Sequence, residues 1–202
     1  MKLPPLRVQH GLLFALLALL FFGCGAWLMR PPTPAEPLPW LAAWQTQLLP
    51  ALASEQLRLA DLSGETEGEL WLQAQPTGPR LLYRAPVGGA EEGWTLAAEL
   101  HLSRLERESL AVAAGLQASS GEQPLSGQLL DQLGRQSVLA LELTPSVAVP
   151  AARLAATLGQ PPLRLHIEGG EAWVYPALGL MARVQDDTVL QLRAQPKSAL
   201  QH

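Results

Sequence analysis

Asparagine is absent from this chain, and cysteine occurs once, as Cys24. The first absence removes every N-x-[ST] acceptor and so excludes N-linked glycosylation. The second excludes an internal disulfide, so a folded domain made of these residues is held by its apolar core alone. Lysine is scarce too, with two Lys against 12 Arg. Together with abundant Ala, Leu and Pro, that bias points to a GC-rich, bacterial genome. Only four histidines occur: His10, His101, His166 and His202. No G-x-S-x-G elbow, S-x-x-K, P-loop, H-E-x-x-H or cysteine pair is present. No catalytic, cofactor or metal residue is therefore assigned, and the chain is read as a non-enzyme.

Charge is missing from one stretch altogether. Gly11 to Met29 is a run of 19 uncharged, mostly apolar residues. About 20 helical residues at 1.5 Å each cross a ~30 Å hydrocarbon core. Lys2, Arg7 and the amino terminus precede the run, while Arg30 alone follows it closely. The positive-inside rule then makes residues 1–10 cytoplasmic, 11–29 a transmembrane signal anchor, and the rest periplasmic, with the span in a bacterial inner membrane. All 18 acidic residues follow Arg30, and segment 31–202 holds eleven basic residues against them, a formal charge of −7. Such a segment is repelled by phosphates and anionic headgroups, so nucleic acid is excluded as a partner. What remains is integral membrane attachment by one span and contact with other envelope proteins. The sequence leaves oligomeric state open.

Cys24 supports a rival reading. Leu20-Phe21-Phe22-Gly23-Cys24 sets Gly before Cys behind a basic start, as in a lipoprotein signal with lipidation at Cys24. Against this, two Phe stand just upstream, and the apolar run continues through Ala26-Trp27-Leu28-Met29. Trp27 at the outer edge suits an interfacial anchor.

Beyond the run, five prolines between Pro31 and Pro39 make segment 30–39 a stiff, extended linker, and Pro39 suits the first turn of a helix. Trp40, Leu41, Trp44, Leu48 and Leu49 recur at helical spacing until Pro50, which is expected to end or kink the pattern. Trp40 and Trp44 are candidates for partner binding, with packing on their own domain as the plainer reading. Alternation by two then predicts half-buried antiparallel strands around Leu70–Ala74, Arg80–Arg84 and Leu96–Leu102. Turns are expected at Gly64, Pro76–Pro79 and Gly88-Gly89. Segment 103–118 is ambiguous. Ser103-Arg104-Leu105-Glu106 is a capping-box pattern, yet Leu110, Val112, Ala114 and Leu116 alternate.

A short helix carrying Leu125, Leu129, Leu130 and Leu133 is expected to stop at a left-handed Gly134. Leu139, Leu141 and Leu143 predict a strand. Pro150 opens a helix with Ala151, Leu154, Ala155 and Leu158 on one face, ended by Gly159. Leu163, Leu165 and Ile167 alternate with Arg164, His166 and Glu168, predicting an apolar face that the helices cover. Trp173 and Tyr175 share a face, as core or as partner-binding residues. A last strand from Thr188 to Arg193 follows an Asp186-Asp187 turn, and residues 196–202 read as a frayed tail. Asp61, Glu65, Glu67 and Glu69 lack an EF-hand register and read as a solvated face. His101 and His166 are expected on polar strand faces.

The order in residues 147–193 is a helix ending Leu158-Gly159-Gln160-Pro161, a strand, Trp173-Val174-Tyr175, and a hairpin across Asp186-Asp187. It resembles the small outer-membrane assembly lipoproteins of the SmpA/OmlA type. The resemblance implies an ααβββ module that supports envelope β-barrel assembly through protein contacts. It also implies that Trp173 and Tyr175 are structural and that the sheet's outer face binds.

The fold expected is α+β: an antiparallel sheet with two or three short packing helices over residues 40–195, behind one transmembrane helix. The function expected is a membrane-anchored envelope accessory or scaffold subunit. The alternatives are an assembly lipoprotein and an envelope hydrolase with an unrecognised site.

Overall fold

The computed structural model describes residues 8–29, 35–89, 93–116 and 121–200. The chain divides into two units, 1–34 and 35–202. Among its described residues the first holds helix α1 (Val8–Leu28), of 21 residues, with the side chains of 13–24 exposed. Side chains of α1 are described from 13 to 25, and among the described residues no helix is long and apolar enough to cross a membrane. Lys2, Arg7, Arg30 and the linker prolines Pro31, Pro32 and Pro34 lie outside the described residues.

The second unit is α+β. It runs α2 (Pro39–Thr46), α3 (Leu48–Ala53), α4 (Leu59–Glu65), β1 (Glu69–Gln73), β2 (Arg80–Val87), β3 (Trp94–Leu100), α5 (Arg104–Ala114) and β4 (Glu122–Pro124). It continues α6 (Gln128–Leu133), β5 (Val138–Pro145), β6 (Val149–Pro150), α7 (Ala151–Leu158), β7 (Leu163–Ile167), β8 (Gly170–Tyr175), β9 (Leu180–Gln185) and β10 (Thr188–Ala194). The ten strands form one antiparallel sheet in the order β4-β1-β2-β3-β5-β10-β9-β8-β7, with β6 paired to β10. Six short helices among the described residues of this unit replace the two or three expected. The additional ones come from α2 and α3, which divide at Gln47, from α4, and from α5.

Local chemistry explains where these elements begin and end. Pro39 occupies the first turn of α2, where its missing N–H costs nothing. Pro50 does not stop the helical pattern. It is the third residue of α3, again in a first turn that tolerates it, and the break comes at Gln47. The ambiguous segment resolves as helix: the Glu106 N–H donates to Ser103 Oγ, the Ser103 N–H donates to the Glu106 carboxylate, and Gly115 closes α5 at φ 67°. Gly134 stays right-handed at φ −53°. Its carbonyl accepts the Ala60 N–H, which joins the end of α6 to α4. Gly64 lies inside α4 rather than in a turn.

The core is one cluster under the inner face of the sheet. Leu70, Tyr83, Ala98, Leu141, Ala194, Leu180 and Tyr175 form one buried cross-strand row. Helices α2, α3, α4 and α7 add Leu41, Trp44, Leu49, Leu52, Leu62 and Leu154 to it. A register shift between Glu99 and Leu100 pairs Leu100 with Val138, so Val138 is buried while Leu139 turns outward. That bulge overturns the expected Leu139–Leu143 face. The segment after Pro196 starts as a short 3₁₀ turn, Lys197–Leu200, and Ser198 Oγ donates to Glu55 Oε1 at 2.6 Å, so its first residues are not frayed.

Candidate functional site

The aromatic candidates go inward. Trp44 is buried, and half-buried Trp40 stands edge-on to it, ring centres 5.2 Å apart and planes at 82°. Trp40 also meets Trp94 of β3 at 5.4 Å. Edge-to-face contacts of this kind join α2 to the sheet. Trp173 and Tyr175 are 6% and 4% exposed, so both belong to the core. The Trp173 Nε1–H donates to Glu171 at 2.8 Å, and the Tyr175 hydroxyl donates to the Gly159 carbonyl at 3.0 Å, tying β8 to the end of α7. Burial pushes the Tyr175 phenol up to about 12, with nearby Arg164 pulling the other way. Cys24, the candidate lipidation site, lies exposed on α1.

The remaining candidates are at the surface. His101 is exposed in the turn after β3 rather than within a strand. His166 is exposed on β7, 3.9 Å from Glu171. Asp61 accepts the Arg58 N–H at the start of α4. Among the described residues no group of three metal-ligating side chains converges, and no polar or charged residue is fully buried.

The surface feature that sequence reasoning placed on the wrong side is β7. Register pairs Arg164 with Trp173, which puts Arg164 and His166 on the inner face. Leu163, Leu165 and Ile167 therefore face outward, away from the helices, and are 45%, 45% and 40% exposed. The expected apolar face exists, but nothing described covers it. It continues inward over Val174 of β8 and Met181 of β9, which stand in one row with Leu163. β7 also ends the sheet, so along its free edge the backbone has no strand partner among the described residues. Gly170 holds the hairpin that presents it: its φ is +143°, and a Cβ would fall 2.2 Å from the Val184 carbonyl. Counting faces from the buried Trp173 across the β7–β8 hairpin was the signal that could have found this surface.

A second surface lies on the same outer face, over the central strands. A trough of about 350 Å³ is floored by Ala97 and Ala140 and walled by Arg80, Arg84, Glu142 and Arg193. Arg80 pairs with Glu99 across β2 and β3. Arg84 makes a two-pronged pair with Glu122 at 2.6 Å, which raises the guanidinium and holds the Glu122 carboxyl below the usual carboxylate range.

No protein-family model matches this chain, and no curated protein or solved structure is significantly similar to it.

Proposed function

We propose that this chain is a single-pass inner-membrane protein whose periplasmic domain serves as a non-enzymatic envelope accessory or scaffold subunit. It docks an extended segment of another envelope protein along β7. The observation that carries this reading is an edge strand with all five residues exposed and three aliphatic side chains on its uncovered face. Folded proteins blunt such edges with charge, proline or a covering element. Here Pro161 and Pro162 precede the strand, but its outer face stays aliphatic. An added strand supplies main-chain hydrogen bonds at the edge, and alternate apolar side chains extend the outer row. The anchor rests on the uncharged run Gly11–Met29 and on the basic residues Lys2 and Arg7 before it.

One observation favours the lipoprotein alternative. Helix α7 is followed by an all-antiparallel β7–β10 meander with Trp173 and Tyr175 inside, which keeps the structural aromatics of the SmpA/OmlA resemblance, with one helix and four strands in place of its ααβββ module. That reading places acylated Cys24 at a membrane surface and keeps the same outer-face docking. Copurification of the full-length chain in mild detergent, beside Leu165→Asp, tests the docking surface. A partner retained by the native chain and lost from the variant is expected, and equal recovery contradicts the reading.

A further inference from the structure

We infer that β7 pairs with β7 of a second copy of this chain whenever no docked segment occupies it. The inference rests on the strand-docking reading and names what holds that edge before the segment arrives. The β7–β8 hairpin fixes which backbone groups are free. Ile167 and Gly170 close a two-residue turn over Glu168 and Gly169, so that pair is the hydrogen-bonded kind. Alternation then turns the backbone of Leu163, Leu165 and Ile167 toward β8. The N–H and C=O groups of Arg164 and His166 are left facing the free edge. Pro162, the next edge-facing position, has no N–H to offer.

One register uses all of these groups. Set antiparallel about Leu165, two copies place Arg164 of each opposite His166 of the other, and both pairs exchange their hydrogen bonds. On the outer face Leu163 meets Ile167 and Leu165 meets itself. Every aliphatic residue of the row then faces another, and the row through Val174 and Met181 continues across the joint. Other registers do worse. Centring the pair on Arg164 sets guanidinium opposite guanidinium and Ile167 opposite Pro161, and centring it on His166 leaves Leu163 opposite Gly169.

Charge and symmetry agree with this register. On the inner face Glu171 is the register partner of His166 and stands 3.9 Å from its ring. Across the joint, Arg164 of each copy therefore meets a histidine backed by a carboxylate, and the two guanidiniums are matched by two carboxylates. The twofold axis of an antiparallel strand pair is perpendicular to the sheet, so the helices of both copies stay on one side. Residues 35–38 enter the domain on that side, where Arg153 of α7 donates to the Glu36 and Pro37 carbonyls and the Leu38 N–H donates to Thr157. Both chains then enter the joined sheet from the same side, as two copies anchored in one membrane need. Five residues a side fall well short of the roughly 20–30 of a stable interface, so a longer segment displaces the second copy.

The test uses the full-length chain in mild detergent, freed of copurifying protein, with Cys24→Ser so that an added thiol is the only one. Leu165→Cys should give a disulfide dimer under mild oxidation, because residues at a non-hydrogen-bonded pair lie about 4.5 Å apart, within disulfide reach. Leu163→Cys and Ile167→Cys should each stay monomeric, their thiols held about 14 Å apart along the strands, while the two coexpressed should crosslink to each other. Light scattering should show a concentration-dependent dimer for the native chain and a monomer for His166→Pro, which removes an edge-facing N–H where an edge strand tolerates proline. If His166→Pro fails to fold, the cysteine scan carries the test. No dimer from Leu165→Cys, equal dimer from all three single positions, or a native chain monomeric at about 0.5 mM overturns the inference. So does an oxidised Leu165→Cys dimer that still retains the protein copurifying with the native chain. Failure of strand docking is read separately, from copurification with Leu165→Asp, since a disulfide specific to position 165 needs no other protein.

Discussion

The guanidinium of Arg164 lies 4.4 Å from the centre of the Trp173 ring, joining the edge strand to its neighbour by a cation over an aromatic face. Arg164 also donates to Gln160 at 3.0 Å, so one side chain links β7, β8 and the turn before β7. The pair faces inward, and this orientation leaves the aliphatic side chains of β7 pointing out. Trp173→Ala should cost ~3–5 kcal/mol in denaturant unfolding, enough to unfold a marginal domain. Arg164→Ala should cost about 0.5–1 kcal/mol and speed amide exchange in β7 ahead of β9 and β10. A Trp173→Ala variant with an unchanged midpoint would contradict the core assignment.

Alkali should reach the domain through Tyr175. Its phenol ionises near 10 when unfolded and at about 12 in the fold, so the native state holds the proton more tightly. The stability from this group is therefore complete below pH 10 and lost as pH rises through 12. Unfolding free energies from pH 9 to 12 should fall more steeply for the native chain than for Tyr175→Phe. Parallel curves would show that the phenol is not held in this way. Tyr175→Phe should also lose about 1 kcal/mol at neutral pH with the bond to Gly159.

Topology and processing can be read together. A periplasm-only reporter fused after His202 should be active, and one fused at Gln9 inactive. The intact mass of the membrane-extracted protein should match a chain beginning at Met1 with an unmodified Cys24. The reversed reporter pattern refutes the anchor, and an acylated product beginning at Cys24 selects the lipoprotein.

Much of the fold was legible because period and punctuation are local properties. The capping box at Ser103–Glu106, the Asp186-Asp187 turn and the alternation at Leu96–Leu100 each declare an element from a few adjacent residues. The Asp pair even adopts φ 48° and 57°, as a tight hairpin demands. What failed was long-range. Alternation in Leu163–Ile167 shows that one face is apolar, but only pairing with Trp173 says which face that is. The bulge that turns Leu139 outward depends on Glu99 and Leu100, some forty residues earlier in the chain. The polar trough was illegible for the same reason. Arg80, Glu99, Glu142 and Arg193 come from four strands, and no local pattern announces their meeting. Trp40 and Trp44 read as a helical stripe, and only the contact of Trp40 with Trp94 of β3 shows that the stripe meets the sheet.

The central claim is that the outer face of β7 meets a partner, and site-specific photo-crosslinking in cells tests it most directly. A photoreactive residue would be placed in the full-length chain at 163, 165 and 167 in turn, and at 112 as an exposed apolar control on α5. Positions 163, 165 and 167 should all yield one adduct of the same mass, and 112 should yield none. Absence of adducts from the three β7 positions, or the same adducts from 112, would contradict the account.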